Sequence, residues 1–343
     1  MTSFPSPAAG NYRMPAEWEP HAATWLSWPH NRDTWPGRFE PIPALWRRLT
    51  ELLAPHETVH ILAAGDALEQ AHSMIGHLDN VHLHDVPTND TWIRDHGPTF
   101  LTGPPTAQPA LIDWQYNAWG GKYPPFDADN AVPRHIAKLT GRHRFEPGIV
   151  LEGGALDTNG RGLFLAAQAC LTDPRRNPRA TTSHLERLMA AYLGAEQVIW
   201  LDAILAGDDT DGHVDQIARF VGSTTVVVAT ESDTSDPNHA SLAAVAQRLR
   251  TAVDTDGRPL DVVPLPMPRP MHVDGTRVPA SYANFYVANN LVLVPQYDDP
   301  ADERAVAILR EQFAQRQIIP LPATDLIWGL GAVHCITQHE PAS

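Results

Sequence analysis

Cys335 lies in Gly329-Leu330-Gly331-Ala332-Val333-His334-Cys335-Ile336, where a glycine-rich turn runs into a short apolar stretch. A thiol at such a strand edge can be reached by substrate, and as a thiolate it attacks electrophilic carbon. The other cysteine, Cys170, stands in Ala-Ala-Gln-Ala-Cys-Leu. Free cysteines are commonly buried as small hydrophobes, and the small apolar company of Cys170 fits that reading. If Ala332–Thr337 is a strand, His334 points to the face opposite Cys335 and is a poor base. His213 and Asp215 are two residues apart, so in a strand Val214–Phe220 both would emerge on one face. A carboxylate beside an imidazole fixes its orientation and stabilises its cation, which suits a general acid/base. Asp95, after Trp92 and Arg94, and Glu152, before a glycine pair, add two more carboxylates.

Two metal readings are open to test. The acids around Asp209 lack the glycine and the terminal glutamate of a calcium loop, so calcium is set aside. His82-Leu-His84 has the spacing of paired imidazole ligands on a strand, and a metal-dependent amidohydrolase built on it is the alternative enzyme class. A third class is a non-catalytic binder of cationic ligands.

The polar chemistry gathers in five segments, Asn89–Pro98, Leu151–Gly154, Gly207–Asp215, Ser281–Phe285 and Gly329–Gln338. Arg94 is their one basic residue besides histidine, and it is expected to pair with a structural acid. Helices are expected over Pro43–Pro55, Asp66–His77, Asp129–Leu139, from a capping box at Ser183–Glu186 to Gly194, and after Asp236-Pro237 and Asp299-Pro300. Between them lie short strand patterns, including Thr58–Ala63, Val81–Val86, Ile149–Leu151, Val198–Leu201, Thr225–Ala229, Leu260–Leu265, Tyr282–Val287, Leu291–Pro295 and Ile318–Leu321. A helix therefore returns roughly every fifty to sixty residues with two or three strands per interval, the rhythm of a radial array of strand-rich units. No change of composition splits the chain, so one domain over residues 1–343 is expected.

Composition narrows the function. The chain has 343 residues, 43% of them hydrophobic and 19% charged, so it can build a core. Forty acids against 25 bases leave a net charge of -15, which argues against nucleic acid and anionic lipid and suits a small cationic substrate. No apolar run approaches the roughly 18 residues that span a bilayer, and Met1–Trp18 lacks the layout of a secretory signal. With only two cysteines, a cytoplasmic setting is expected.

Taken together, the motifs resemble the agmatine deiminase and bacterial-type peptidylarginine deiminase family of the guanidine-modifying superfamily. The resemblance runs through Met14–His21, Trp25–Trp28, Asn89–Pro98, Asn117–Gly121, Glu152–Gly154, Arg176–Pro178, Thr210–Asp215, Ser281–Phe285 and His334–Gln338. It implies a five-bladed α/β propeller with a pseudo-fivefold repeat, hydrolysis of a guanidino substrate through an amidino-cysteine intermediate, and no cofactor or metal. By position it assigns the nucleophile to Cys335 and the acid/base to His213. Asp95 and Asp215 become the carboxylates holding the guanidinium, Glu152 the partner of the histidine, and Trp92 an aromatic at the substrate. Agmatine, in polyamine biosynthesis, is the expected substrate and arginine in peptides the alternative; relatives are often homodimers. The chain departs from the family at Leu330 and Ala332, where glycine and asparagine are usual, and at His339, where glutamine is.

Overall fold

Val226–Ala229, Leu163–Ala167 and Leu291–Pro295 are continuous apolar runs that are buried along their whole length, which requires cover on both faces of a strand. The computed structural model, which describes residues 6–342, shows how that cover is made. A single sheet motif recurs five times among the described residues. A leading strand pairs antiparallel with a middle strand. The middle strand then pairs parallel with a trailing strand after a helical crossover, as parallel pairing demands.

The second unit is Thr99–Leu101, Ala110–Ile112 and His143–Phe145, with helix Val132–Thr140 in the crossover. The third is Leu156–Thr158, Leu163–Ala167 and Gln197–Leu201, with helix Thr182–Leu193. The fourth is Ala218–Phe220, Thr225–Thr230 and Asp261–Pro266, with helix Pro237–Arg250. The fifth is Tyr286–Ala288, Leu291–Gln296 and Gln317–Pro322, with helix Asp302–Gln312. The first unit joins distant parts of the chain. Gln338–Pro341 is its leading strand, His21–Ser27 its middle strand and Thr58–Ala63 its trailing strand, after helix Ile42–Leu53; Val81–Asp85 extends it in parallel. Trp25 Nε1 donates to Glu340 Oε2 at 2.7 Å across the first of these pairs.

Helix ends follow local chemistry. Asp236 accepts from the Asn238 amide at 2.8 Å and caps Pro237–Arg250. Thr182–Leu193 is capped by Thr181, which accepts from the His184 amide at 3.2 Å, rather than by the Ser183 box. It stops at Gly194, whose φ of 74° favours glycine. The expected helix Asp129–Leu139 divides into Asp127–Asn130 and Val132–Thr140, with Pro133 opening the second part.

Four expected strands are wrong in a consistent way. Ile149–Leu151 has only an isolated bridge at Val150, Val214–Gln216 is a helical turn ahead of strand Ala218–Phe220, Tyr282–Phe285 lies outside strand Tyr286–Ala288, and Ala332–Thr337 is a turn before Gln338. Each lies just ahead of a leading strand and is buried like a strand. Its polar groups bond to neighbouring segments instead of to a ladder. Pattern reading also missed Thr99–Leu101 and Leu156–Thr158, which span three residues each, too few to show alternation, and the longer middle strands His21–Ser27 and Leu163–Ala167, which are buried on both faces and show almost none.

Candidate active site

The same position in all five units carries the polar residues. The segments preceding the leading strands supply Asp95 (second unit), Glu152 (third), His213 and Asp215 (fourth), Asn284 (fifth) and Cys335 (first). Asp95, Gln216 and Cys335 line one cavity of about 880 Å³ together with Trp92 and Trp119.

Cys335 is 6% exposed. Its sulfur accepts from Asn284 Nδ2 at 3.2 Å and lies 3.6 Å from Asp215 Oδ2. The Asn284 side-chain oxygen also takes the His334 amide at 3.0 Å, so one side chain holds both the Cys335 sulfur and the turn that carries it. Asn284 stands inside a segment singled out by sequence but had no role there. Burial, then the charges of Asp215 and Asp95, push the Cys335 thiol well above its ordinary pKa.

His213 sits between two carboxylates. Its Nε2 is 3.2 Å from Glu152 Oε2, and its Nδ1, which has no hydrogen-bond partner, is 3.7 Å from Asp95 Oδ1. Burial works against the imidazolium, but the Asp95 charge and the contacts with Cys170 and Glu152 outweigh it and raise the pKa well above the usual range. Glu152 is fully buried and receives Arg176 Nε at 2.8 and 2.9 Å. Arg176 was visible only as part of a motif.

The expectation that His213 and Asp215 share a strand face fails, since a helical turn separates their directions. Asp215 pairs instead with His334 Nδ1 at 2.8 Å, while its Oδ1 has no partner. Burial raises the Asp215 pKa, but the His334 hydrogen bond and charge reverse this, and the carboxylate stays below its ordinary value. His334 therefore belongs to the site as the group that orients Asp215, a correction to its assignment to the far face of a strand. Its Nε2 meets Glu17 Oε2 at 2.7 Å. Glu17 also receives Arg94 at 3.0 Å and Arg219 at 2.9 Å, so Arg94 does pair with a structural acid.

Asp95 takes the Trp119 indole N–H on Oδ2 at 3.0 Å and the Gly154 amide on Oδ1 at 2.9 Å. The glycine pair is required by close approach. A Cβ on Gly153 would lie 2.1 Å from the Arg94 carbonyl oxygen, and one on Gly154 would lie 2.5 Å from His213 Nδ1 and 3.1 Å from Asp215 Oδ2. Trp92 lines the cavity and packs on Trp35, with the Gly331 backbone against its ring.

Two expectations about other residues change. Cys170 does not have apolar company alone: its sulfur is 3.0 Å from Glu152 Oε2. The cavity also includes two cations absent from the five segments, Lys122 and Arg32. Both are engaged, Lys122 with Asp211 at 2.9 Å and Arg32 with Glu40. The imidazole of His84 bonds His60 at 2.9 Å, His82 stacks on His60, and neither lines the cavity. Among the described residues the group with ligand atoms near enough for one ion is Glu152, Cys170 and His213, where the Arg176 guanidinium already occupies Glu152.

Chemically, the unpartnered Asp215 Oδ1 and the carboxylate of Asp95 are placed to accept N–H groups of a planar cation beside sulfur. The unpartnered His213 Nδ1 is free to move a proton there. Residues 13–341 match the model of the Porphyromonas-type peptidyl-arginine deiminase family. The chain belongs to this family. It is 33% identical to the agmatine deiminase of Ectopseudomonas mendocina, over 98% of this chain and 97% of the relative. It is 34% identical to that of Pseudomonas aeruginosa over the same shares. The structure of the Enterococcus faecalis agmatine deiminase superposes with a TM-score of 0.93 at 28% identity, covering 99% of this chain and 98% of the other. The mixed α/β architecture is thus that of the agmatine deiminase structures.

Proposed function

We propose that this protein hydrolyses agmatine to N-carbamoylputrescine and ammonia, with Cys335 as nucleophile, in the making of polyamines. The observation that carries the reading is the convergence of Cys335, Asp95, Asp215 and the Glu152-held His213 within one buried cluster, of which Cys335 and Asp95 line the cavity. Asp95 and Asp215 hold the guanidinium plane with its central carbon against sulfur. The substrate's charge offsets the two carboxylates, lowers the thiol pKa and yields the thiolate. Sulfur bonds to that carbon, the C–N bond to the departing nitrogen breaks, and His213 gives ammonia its proton. Water then attacks the covalent amidino-thioether and passes a proton to His213, the C–S bond breaks, and a ureido product leaves. No metal or organic cofactor takes part.

Agmatine is favoured over arginine by the charge of the cavity, which includes Asp33, Asp90 and Asp209 while both of its Arg/Lys cations are already paired. The five like units are read as five blades around a central channel, forming one domain over 1–343, because every catalytic segment precedes a leading strand. A cytoplasmic setting accords with two unpaired cysteines, and among the described residues no helix is long and apolar enough to cross a membrane. Ammonia release from agmatine, free arginine and a blocked arginine peptide, compared side by side with and without EDTA, tests the reading. Agmatine should be the preferred substrate and EDTA without effect. Preference for the peptide, or loss of activity with EDTA, would overturn it.

A further inference from the structure

Oε2 of Glu152 is crowded in a way the mechanism above does not use. It faces His213 Nε2 at 3.2 Å, receives Arg176 Nε at 2.9 Å and lies 3.0 Å from the Cys170 sulfur. Ligand atoms of Cys170, Glu152 and His213 all fall within 4.8 Å of one another, and all three residues are at most 1% exposed. The sulfur comes from Gln168–Leu171, the short helix that follows the middle strand of the third unit, so the fold delivers it to the Glu152 oxygen from a different segment than the one carrying His213. We propose that Cys170 is a positioning residue for proton transfer at His213: its S–H donates to the Glu152 oxygen that faces the imidazole, and so limits how tightly that carboxylate holds the imidazolium proton.

The reasoning is electrostatic. A carboxylate oxygen that already accepts hydrogen bonds has less charge to offer the next donor. His213 must release its proton to ammonia and then accept one from water, so an imidazolium held too tightly stalls the cycle. Burial pushes the Cys170 thiol up to about 12, so it remains a donor across the working range. The Cys170 sulfur also faces the imidazole directly, where a thiolate would raise the His213 pKa, but a thiol held protonated carries no such charge and acts through the Glu152 oxygen. The other groups facing His213 are Asp95 from the short helix Ile93–His96 and Asp215 from its own turn; Arg176 stands behind Glu152, and His334 behind Asp215. None of these changes when Cys170 is replaced.

The proposal rests on the deiminase reading, and the test separates the two. Cys170→Val and Cys170→Ser are both near the size of cysteine, but only serine keeps a donor. In Cys170→Val the His213 pKa, read by NMR titration of labelled imidazole assigned with His213→Gln, should rise by roughly one unit, the scale of one hydrogen bond to a charged group. Cys170→Ser should stay at or below the wild-type value. With agmatine, Cys170→Val should lose kcat at pH 7 by about tenfold, recover as pH is raised, and accumulate covalent adduct in quenched samples, while Cys170→Ser turns over normally. A packing defect would lower activity at every pH and would not favour serine over valine. An unshifted or lowered His213 pKa in Cys170→Val, or identical behaviour of the two variants, would overturn the proposal. If wild-type enzyme released no ammonia from agmatine, the deiminase reading would fail while the NMR arm still decided the role of Cys170.

Discussion

Cys335 is a neutral thiol in the free enzyme, because burial and two carboxylates oppose its ionisation. In the proposed mechanism substrate charge reverses this, and the consequence is measurable. A neutral alkylating reagent such as iodoacetamide should inactivate the enzyme slowly near pH 7, with a rate that climbs steeply as pH rises. A haloacetamidine of similar intrinsic reactivity carries an amidinium for Asp95 and Asp215 and should react at least about tenfold faster at pH 7, one unit of thiol pKa being worth that factor. Equal rates would show that the thiolate forms without help from the substrate. His213 supplies the second residue-scale expectation. In the proposed mechanism its unpartnered Nδ1 carries the proton, so His213→Gln should slow release of the intermediate more than its formation. Mass spectrometry of quenched enzyme should then reveal Cys335 bearing the amidino group and the substrate's amine tail. Absence of any adduct under all conditions would point to direct attack by water.

At the scale of the element, catalysis depends on turns that no side chain can enter. Gly154 lets the third unit's leading segment pass beside His213, Asp95 and Asp215. Gly154→Ala should therefore reduce kcat/KM by at least about a hundredfold, since misplacement near 1 Å costs that much, while far-UV circular dichroism stays unchanged. Retention of activity would mean that the three side chains do not hold the geometry described. The helix Asp127–Asn130 makes a different kind of prediction. Asp129 is raised to about 7 by burial, against which its hydrogen bonds from the Asn89 and Asp90 amides act. Its folded-state pKa lies above its unfolded value, so the native chain binds the proton more tightly. The stability this contributes is fully present below pH about 4 and is lost as pH rises through about 7. Asp90, raised to about 6 by burial, acts in the same direction. In Asp129→Asn the fall of Tm between pH 4 and 7 should shrink, leaving the smaller part due to Asp90. An unaltered slope would show that Asp129 is not the group titrating.

For the whole molecule, five copies of one sheet motif bring their leading segments together, those of the first, second and fourth units line a common cavity, and on the proposed reading the charge of that cavity selects the substrate. Agmatine ends in an ammonium, whereas free arginine brings a carboxylate to a wall that already holds Asp33, Asp90 and Asp209. Desolvated repulsion of this kind costs several kcal/mol, so agmatine should exceed free arginine in kcat/KM by about a hundredfold or more. If arginine is turned over as well, Lys122 or Arg32 must leave its acid partner to meet the carboxylate. Lys122→Met and Arg32→Met would then identify which by removing arginine turnover selectively.

Cys335, His213, Asp95, Asp215, Glu152 and Trp92 were all legible as candidates because their chemistry is local: unusual polar residues among glycines, in segments that repeat along the chain. The helix rhythm that spaces those segments was legible too, since each helix carries its own caps and apolar face. What the chain alone left undecided was who meets whom. Asn284 reaches Cys335 from 51 positions away, His334 reaches Glu17 across 317, and Cys170 reaches Glu152 across 18 residues and a sheet. Ala332–Thr337 is buried throughout, as a strand would be, so His334 was placed on the wrong face, while Cys170 was given apolar company from its sequence neighbours alone. A buried polar group must be partnered, but which distant segment provides the partner depends on how the five units are assembled, and that is a property of tertiary structure.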